Sequence, residues 1–222
     1  MDFATTATRT RPSVLATNEV IRNTYTLLSM TLLFSAAMAA LSVWLRTPPM
    51  IDLLATGGAL LLVWLVLPRT ANSTKGLGVV FAITGLLGFS LGPILTLYLA
   101  LHNGPQIVAT AFGGTGVIFL GLSGYALATR RDFSFLGGFL FTGLLVVLVA
   151  ALANIFFSIP ALSLAISAGV ILIMSGFILF DTSRLINGGE TNYILATVSL
   201  YLSLFNIFIH LLSLLGIMGS DD

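Results

Sequence analysis

Six polar residues near the end of the chain, Asn192, Ser199, Ser203, Asn206, His210 and Ser213, follow one another at intervals of 7, 4, 3, 4 and 3. Those intervals track the α-helical turn, so the six side chains share one face of one helix. A polar stripe of ~20 Å is expensive against lipid and calls for neighbouring helices or a water-filled cavity. Two chemistries fit it: interhelical hydrogen bonds between small polar groups, each worth about 0.6 kcal/mol, or a path for a permeating proton or cation.

Asp181 is the one acid placed well within an apolar run, which extends from Ala161 to Phe180 before it and resumes at Leu185 and Ile186. At full membrane depth a carboxylate costs ~2.5 to 3.5 kcal/mol, and less near the interface, so this one needs a partner. Arg184, three residues on, is placed for an ion pair. The other reading is a proton- or cation-sensing group, since burial and neighbours tune a carboxylate's pKa. Ser199 falls about 9 Å from the start of its helix and Asp181 about 8 Å from the end of its own. In adjacent antiparallel helices they share a level, with Ser203 roughly one turn deeper, and a cluster of Asp181, Ser199 and Ser203 is predicted.

Enzyme chemistry finds little support. Gly121-Leu122-Ser123-Gly124 fits the GxSG pattern around the nucleophile of rhomboid-type intramembrane proteases, with His210 as the only candidate base in a span. The two differ in depth by roughly 15 to 20 Å, whereas a serine and its base need about 3 Å. Ser123 is read as a small packing residue and the chain as a non-enzyme. No HExxH, P-loop, dinucleotide or EF-hand spacing occurs. Zero cysteines exclude thiolate metal sites, and two histidines are too few for a His-rich one. Asp52, Asp132, Glu190 and His102 fall in loops or at span edges, where solvation is the default.

The elements that must position these residues are membrane spans. The chain has 222 residues, of which 57% are hydrophobic and 8% charged, against about 25% charged in a soluble domain. Seven apolar stretches, 24–45, 50–67, 77–99, 105–128, 134–157, 161–186 and 193–217, can each cross a ~30 Å hydrocarbon core as an α-helix. The second is the shortest, crowded by Asp52 and Pro68, and omitting it gives six spans. Seven spans with the N-terminus inside put Arg9, Arg11, Arg22, Arg69, Lys75, Arg130, Arg131 and Arg184 on the cytoplasmic side and Arg46 alone outside, as the positive-inside rule requires. The reading is therefore N-in, C-out.

Residues 1–23 are polar and Thr-rich and lack a signal peptide's apolar core and cleavage site; they read as a flexible cytoplasmic tail ahead of a transmembrane domain over 24–222. That tail is either a plain lead-in to the first helix or a handle for a cytosolic partner. Gly88 and Gly92, with Gly85, allow close approach of a neighbouring helix, and Pro93 is expected to break or kink its helix. A net charge of +1 argues against nucleic acid as a partner.

Gly85-Leu86-Leu87-Gly88-Phe89-Ser90-Leu91-Gly92-Pro93-Ile94-Leu95 resembles the signature of the Bax inhibitor-1 family. Phe180-Asp181-Thr182-Ser183, Gly188 to Tyr193 and Ala196 to Tyr201 resemble its bacterial, YccA-like branch. The resemblance implies seven helices around a central last one and, in some members, a pH-sensitive calcium leak tied to two buried aspartates. The first corresponds to Asp181; Ser203 stands where the second would be. Asp181 then lacks the like-charge partner with which it would share a proton, and any calcium site there is weak. For the bacterial branch the resemblance implies a multi-pass protein of the inner membrane that binds and restrains the membrane AAA protease FtsH with its HflK and HflC associates.

Overall fold

The computed structural model describes residues 14–218, and among them every regular element is helical. Seven helices are long and apolar enough to cross a membrane. They are α1 (Val14–Trp44), α2 (Pro49–Thr70), α3 (Lys75–Leu99), α4 (Gly104–Thr129), α5 (Leu136–Phe157), α6 (Pro160–Ile186) and α7 (Tyr193–Met218). The second span is therefore present, and the six-span alternative falls.

Three details differ from the sequence reading. Helix α1 already runs at Val14, the first described residue, ten residues before the apolar run, because the stretch Val14–Asn23 has no helix breaker and continues the first turns outward. Of the tail expected over 1–23, residues 14–23 are helical, and residues 1–13 lie outside the described residues. Helix α2 carries a π-helical turn over Leu62–Val66, just before Pro68. A proline ring clashes with the carbonyl four residues back, and the wider turn lets the helix run on to Thr70. Helix α3 continues through Pro93 to Leu99, so of the break or kink expected there the break is absent. Such prolines are tolerated where neighbouring helices support the chain.

That support comes from α1, the closest neighbour of α3. A Cβ built at Gly88 would lie 2.8 Å from Ser35 Cα, one at Gly92 would lie 2.5 Å from Ser42 Cβ, and one at Gly85 would lie 2.8 Å from the Phe34 ring. The small residues of α3 are thus what lets the two backbones approach. Helix α7 is central: it packs on α1, α3, α4 and α6 and carries the fully buried Leu200, Tyr201, Ile207 and Leu212. Helix α5 sits at the rim, packed chiefly on α6, with Leu140 its one buried residue.

Candidate functional site

Helices α6 and α7 run antiparallel, and the short turn over 187–192 sets their register. Asn187 ends α6, Gly188 takes a left-handed φ of 71°, and the amide of Gly189 donates back to the Arg184 carbonyl at 2.8 Å. Asn192 then starts α7: its side-chain oxygen accepts from the amides of Ile194 at 2.9 Å and Leu195 at 3.2 Å. Its amide group donates to the Ala71 carbonyl at 3.0 Å and to Asn72 Oδ1 at 2.8 Å, tying the turn between α2 and α3 to the same point. Asn192 is thus a cap and a bridge just ahead of the helix and not the first member of a stripe along it.

This register brings Ser199 to Asp181, and the serine hydroxyl donates to Asp181 Oδ2 at 2.5 Å. Asp181 is 8% exposed. Ser203, one turn further along α7, is also buried. Arg184 does not pair with Asp181. Its guanidinium reaches Glu190 Oε2 at 3.4 Å, donates to the Gly189 carbonyl at 3.1 Å and lies 5.5 Å over the Phe180 ring. The turn brings Glu190 back to the more solvated end of α6, so the arginine is neutralised there. Arg184–Glu190 is the only ion pair among the described residues.

The next two residues of α6 face other helices. Thr182, fully buried, lies 3.3 Å from the hydroxyl of Tyr25 on α1 and 3.4 Å from that of Ser123 on α4. Ser183, also fully buried, accepts from the Phe133 amide at 2.8 Å and donates to the Arg131 carbonyl at 3.1 Å, fixing the turn between α4 and α5. One turn of α6 therefore joins α1, α4, α7 and the α4–α5 turn through three consecutive polar side chains. The same run of polarity at the end of an apolar helix is the signal by which Thr182 and Ser183 are recognisable beside Asp181.

Further along α7, Tyr201 is 1% exposed, its hydroxyl 2.5 Å from Ser35 Oγ on α1 and donating to the Thr84 carbonyl on α3 at 3.2 Å. A buried phenol needs such partners, which is the clue that a tyrosine amid apolar residues offers. His210 Nδ1 lies 3.2 Å from Ser167 Oγ on α6, while Asn206 donates to the carbonyl of Leu202 in its own helix at 2.8 Å. Ser213 is half-buried. Ser199, Ser203, Asn206, His210 and Ser213 lie along the unbroken α7: Ser199 and His210 bond across to α6, and the Asn206 amide bonds within its own helix. Ser123 and His210 have separate partners on α6, at Thr182 and Ser167, about 22 Å apart along that helix. They do not form a nucleophile and base.

Among the described residues no group of three or more His, Cys, Asp or Glu is arranged to hold a metal. Outside the spans, Asp132 is held below the usual carboxylate range by hydrogen bonds from Ser134, the side chain contributing most and the backbone amide donating at 2.8 Å.

A seven-helix membrane bundle with a central last helix and a buried aspartate at one end defines the class. The sequence profile of the family described as inhibitor of apoptosis-promoting Bax1 matches residues 17–220, and the chain belongs to this Bax inhibitor-1 family. It is 52% identical over 221 residues, the whole of both chains, to the modulator of FtsH protease YccA of Escherichia coli K12. An inner membrane protein YccA of E. coli O6:H1 matches equally. A membrane protein of Vibrio cholerae is 48% identical over 98% of this chain and 97% of its own. The chain is a multi-pass protein of the bacterial inner membrane.

Proposed function

We propose that the chain is a regulatory binding protein that modulates an FtsH-type membrane AAA protease, acting with its HflK and HflC associates. The observation that carries this reading is the full-length 52% identity to the E. coli modulator. The described residues form one membrane bundle, leaving loops, lipid-facing helices and the N-terminal segment to meet a partner. On this reading the polar segment ahead of the first apolar run is the handle for the protease. The test is turnover of a membrane substrate by the protease, and co-purification with it, for the full chain and for a chain lacking residues 2–13. Slower turnover with the full chain and loss of that effect on truncation are expected. Turnover indifferent to the full chain would sink the reading.

A second reading is a slow calcium or proton leak with Asp181 as its titrating group. It is favoured by the burial of that carboxylate beside a single serine donor, with no cation in ion-pair reach among the described residues. Calcium prefers several oxygen ligands, usually more than one carboxylate, so with Ser203 in place of an acid the site is weak. Flux into proteoliposomes at mildly acidic and mildly alkaline pH is expected to lose its pH dependence in Asp181→Asn; equal flux in both proteins rejects the role.

A further inference from the structure

Helices α4 and α5 both pack on α6 but share no packed interface with each other. They flank a face of α6 that carries Ser183 near its end and, three turns back, Leu172, which is 73% exposed; the turn over 130–135 joins them at the basic end of that face. That turn is built rigidly. Arg130 ends α4 in the left-handed region at φ 50° and ψ 26°, its amide donating to the Ala126 carbonyl at 2.9 Å. This position usually falls to glycine, and a side chain there is strained. The next residues are clamped by the buried Ser183, which holds the Arg131 carbonyl and the Phe133 amide together. Asp132 is occupied by Ser134, and the Phe133 ring lies 6.1 Å from that of Tyr125.

The outcome is two adjacent arginines on a fixed turn, both exposed and neither in an ion pair among the described residues. Beside them Phe135 and Phe139 are 76% and 73% exposed at the start of α5, and Tyr125 is half-exposed near the end of α4. An arginine pair is suited to a phosphate diester, which it can meet with forked donors; a tyrosine at this level suits the headgroup zone, and the exposed phenylalanine rings suit acyl chains. We propose that Arg130 and Arg131 bind the phosphate of an anionic phospholipid, with its acyl chains lying along the exposed face of α6 between α4 and α5. The strained turn at Arg130 and the clamp at Ser183 hold the pair in place for that headgroup. Because Ser183 follows Thr182 and Asp181 on α6, a bound lipid braces the end of the helix that carries the buried acid.

The test is thermal unfolding of the full chain in detergent with added phosphatidylglycerol, phosphatidylcholine or inorganic phosphate. A ligand that binds only the folded state raises the midpoint. Phosphatidylglycerol is expected to raise it by a few degrees, with no shift from phosphatidylcholine or phosphate. The R130Q/R131Q variant is expected to lose that shift, and the charge-matched R69Q/K75Q variant, altered elsewhere at the same end, to keep it. Equal shifts in wild type and R130Q/R131Q, or loss in both double variants, would overturn the site; an equal shift from inorganic phosphate would overturn the lipid as its occupant. If R130Q/R131Q does not fold, R131Q alone decides, since its side chain does not set the left-handed turn: an undiminished shift rejects the proposal.

Discussion

Ser199 and Asp181 are joined by a 2.5 Å hydrogen bond between α7 and α6, and this bond is the carboxylate's link to the central helix. A carboxylate near the membrane interface with one neutral donor retains much of its desolvation cost. An asparagine at 181 keeps an oxygen to accept from Ser199 and carries no charge. Asp181→Asn is therefore expected to leave the bundle folded and to stabilise it by on the order of 1 kcal/mol, read from thermal unfolding in detergent. Ser199→Ala, which strands the carboxylate, is expected to destabilise it by ~1 to 2 kcal/mol. Opposite signs for the two variants are the signature; destabilisation by both would mean that the charge itself holds the helices.

Tyr201 pins the other side of α7. Two residues from Ser199 on a helix is a rotation of about 200°, so its hydroxyl faces α1 and α3 while Ser199 faces α6. Any turning of α7 that frees Asp181 also pulls Tyr201 from Ser35 and the Thr84 carbonyl. Interhelical bonds in membranes average ~0.6 kcal/mol and reach ~1.7 kcal/mol. Tyr201→Phe is expected to cost about 1 to 2 kcal/mol while keeping the packing, and Tyr201→Ala about 3 to 5 kcal/mol. A Phe variant as stable as wild type would show that the phenol is not a structural link.

Close approach of α1 and α3 gives a sharper contrast. At Gly88 and Gly92 an added methyl meets the Ser35 and Ser42 backbone or β-carbon, which cannot swing aside. Gly88→Ala and Gly92→Ala are each expected to destabilise by about 1 to 3 kcal/mol through overpacking. At Gly113, Gly116 and Gly121 on α4 a methyl meets nothing within 4 Å. Alanine there is expected to be neutral or to stabilise by up to ~1 kcal/mol, since glycine weakens a helix. Membrane-inserted levels and unfolding midpoints of the five variants decide it, and equal losses at both groups would contradict the packing.

The spans were legible in the sequence because hydropathy and the placement of Lys and Arg are one-dimensional quantities. The level shared by Asp181 and Ser199 was legible for the same reason: depth follows from counting residues at 1.5 Å each. Rotation about each helix axis does not follow from counting. That is why the partners of Tyr201, Thr182 and Ser183, and the bond of Asn206 within its own helix, emerge only from the packed bundle. Arg184 shows a third limit. Spacing favours Asp181 as its partner, but the turn after Asn187 returns Glu190 to a position where the guanidinium pairs nearer water. The start of α1 was missed because helix continuity does not require apolar residues.

The turn over 130–135 titrates at its acid. Because Ser134 holds the folded carboxyl of Asp132 below its unfolded value, the bond contributes stability that is present above about pH 4 and is lost as pH falls through the lower folded value. Local opening of this turn, followed by amide exchange at Ser134, is expected to be flat from neutral pH to about pH 4 and to rise below it. Asp132→Asn is expected to abolish the rise. A wild-type rise centred near neutral pH would assign the titration to another group.

Asn192 can be dissected because its two side-chain atoms do separate tasks. The oxygen caps α7 at Ile194 and Leu195, and the nitrogen ties the α2–α3 turn through Ala71 and Asn72. Aspartate supplies the capping oxygen and favours a helix N-terminus, but it has no donor for the turn. Asn192→Asp is expected to keep α7 capped and to loosen residues 71–74, visible as faster amide exchange there with little change in global stability. Asn192→Ala removes both functions and is expected to cost about 1 to 2 kcal/mol with faster exchange at both 71–74 and 194–195. If Asp and Ala variants opened the same residues to the same degree, the division of labour between the two atoms would be refuted, and the cap and the bridge would have to act as one unit.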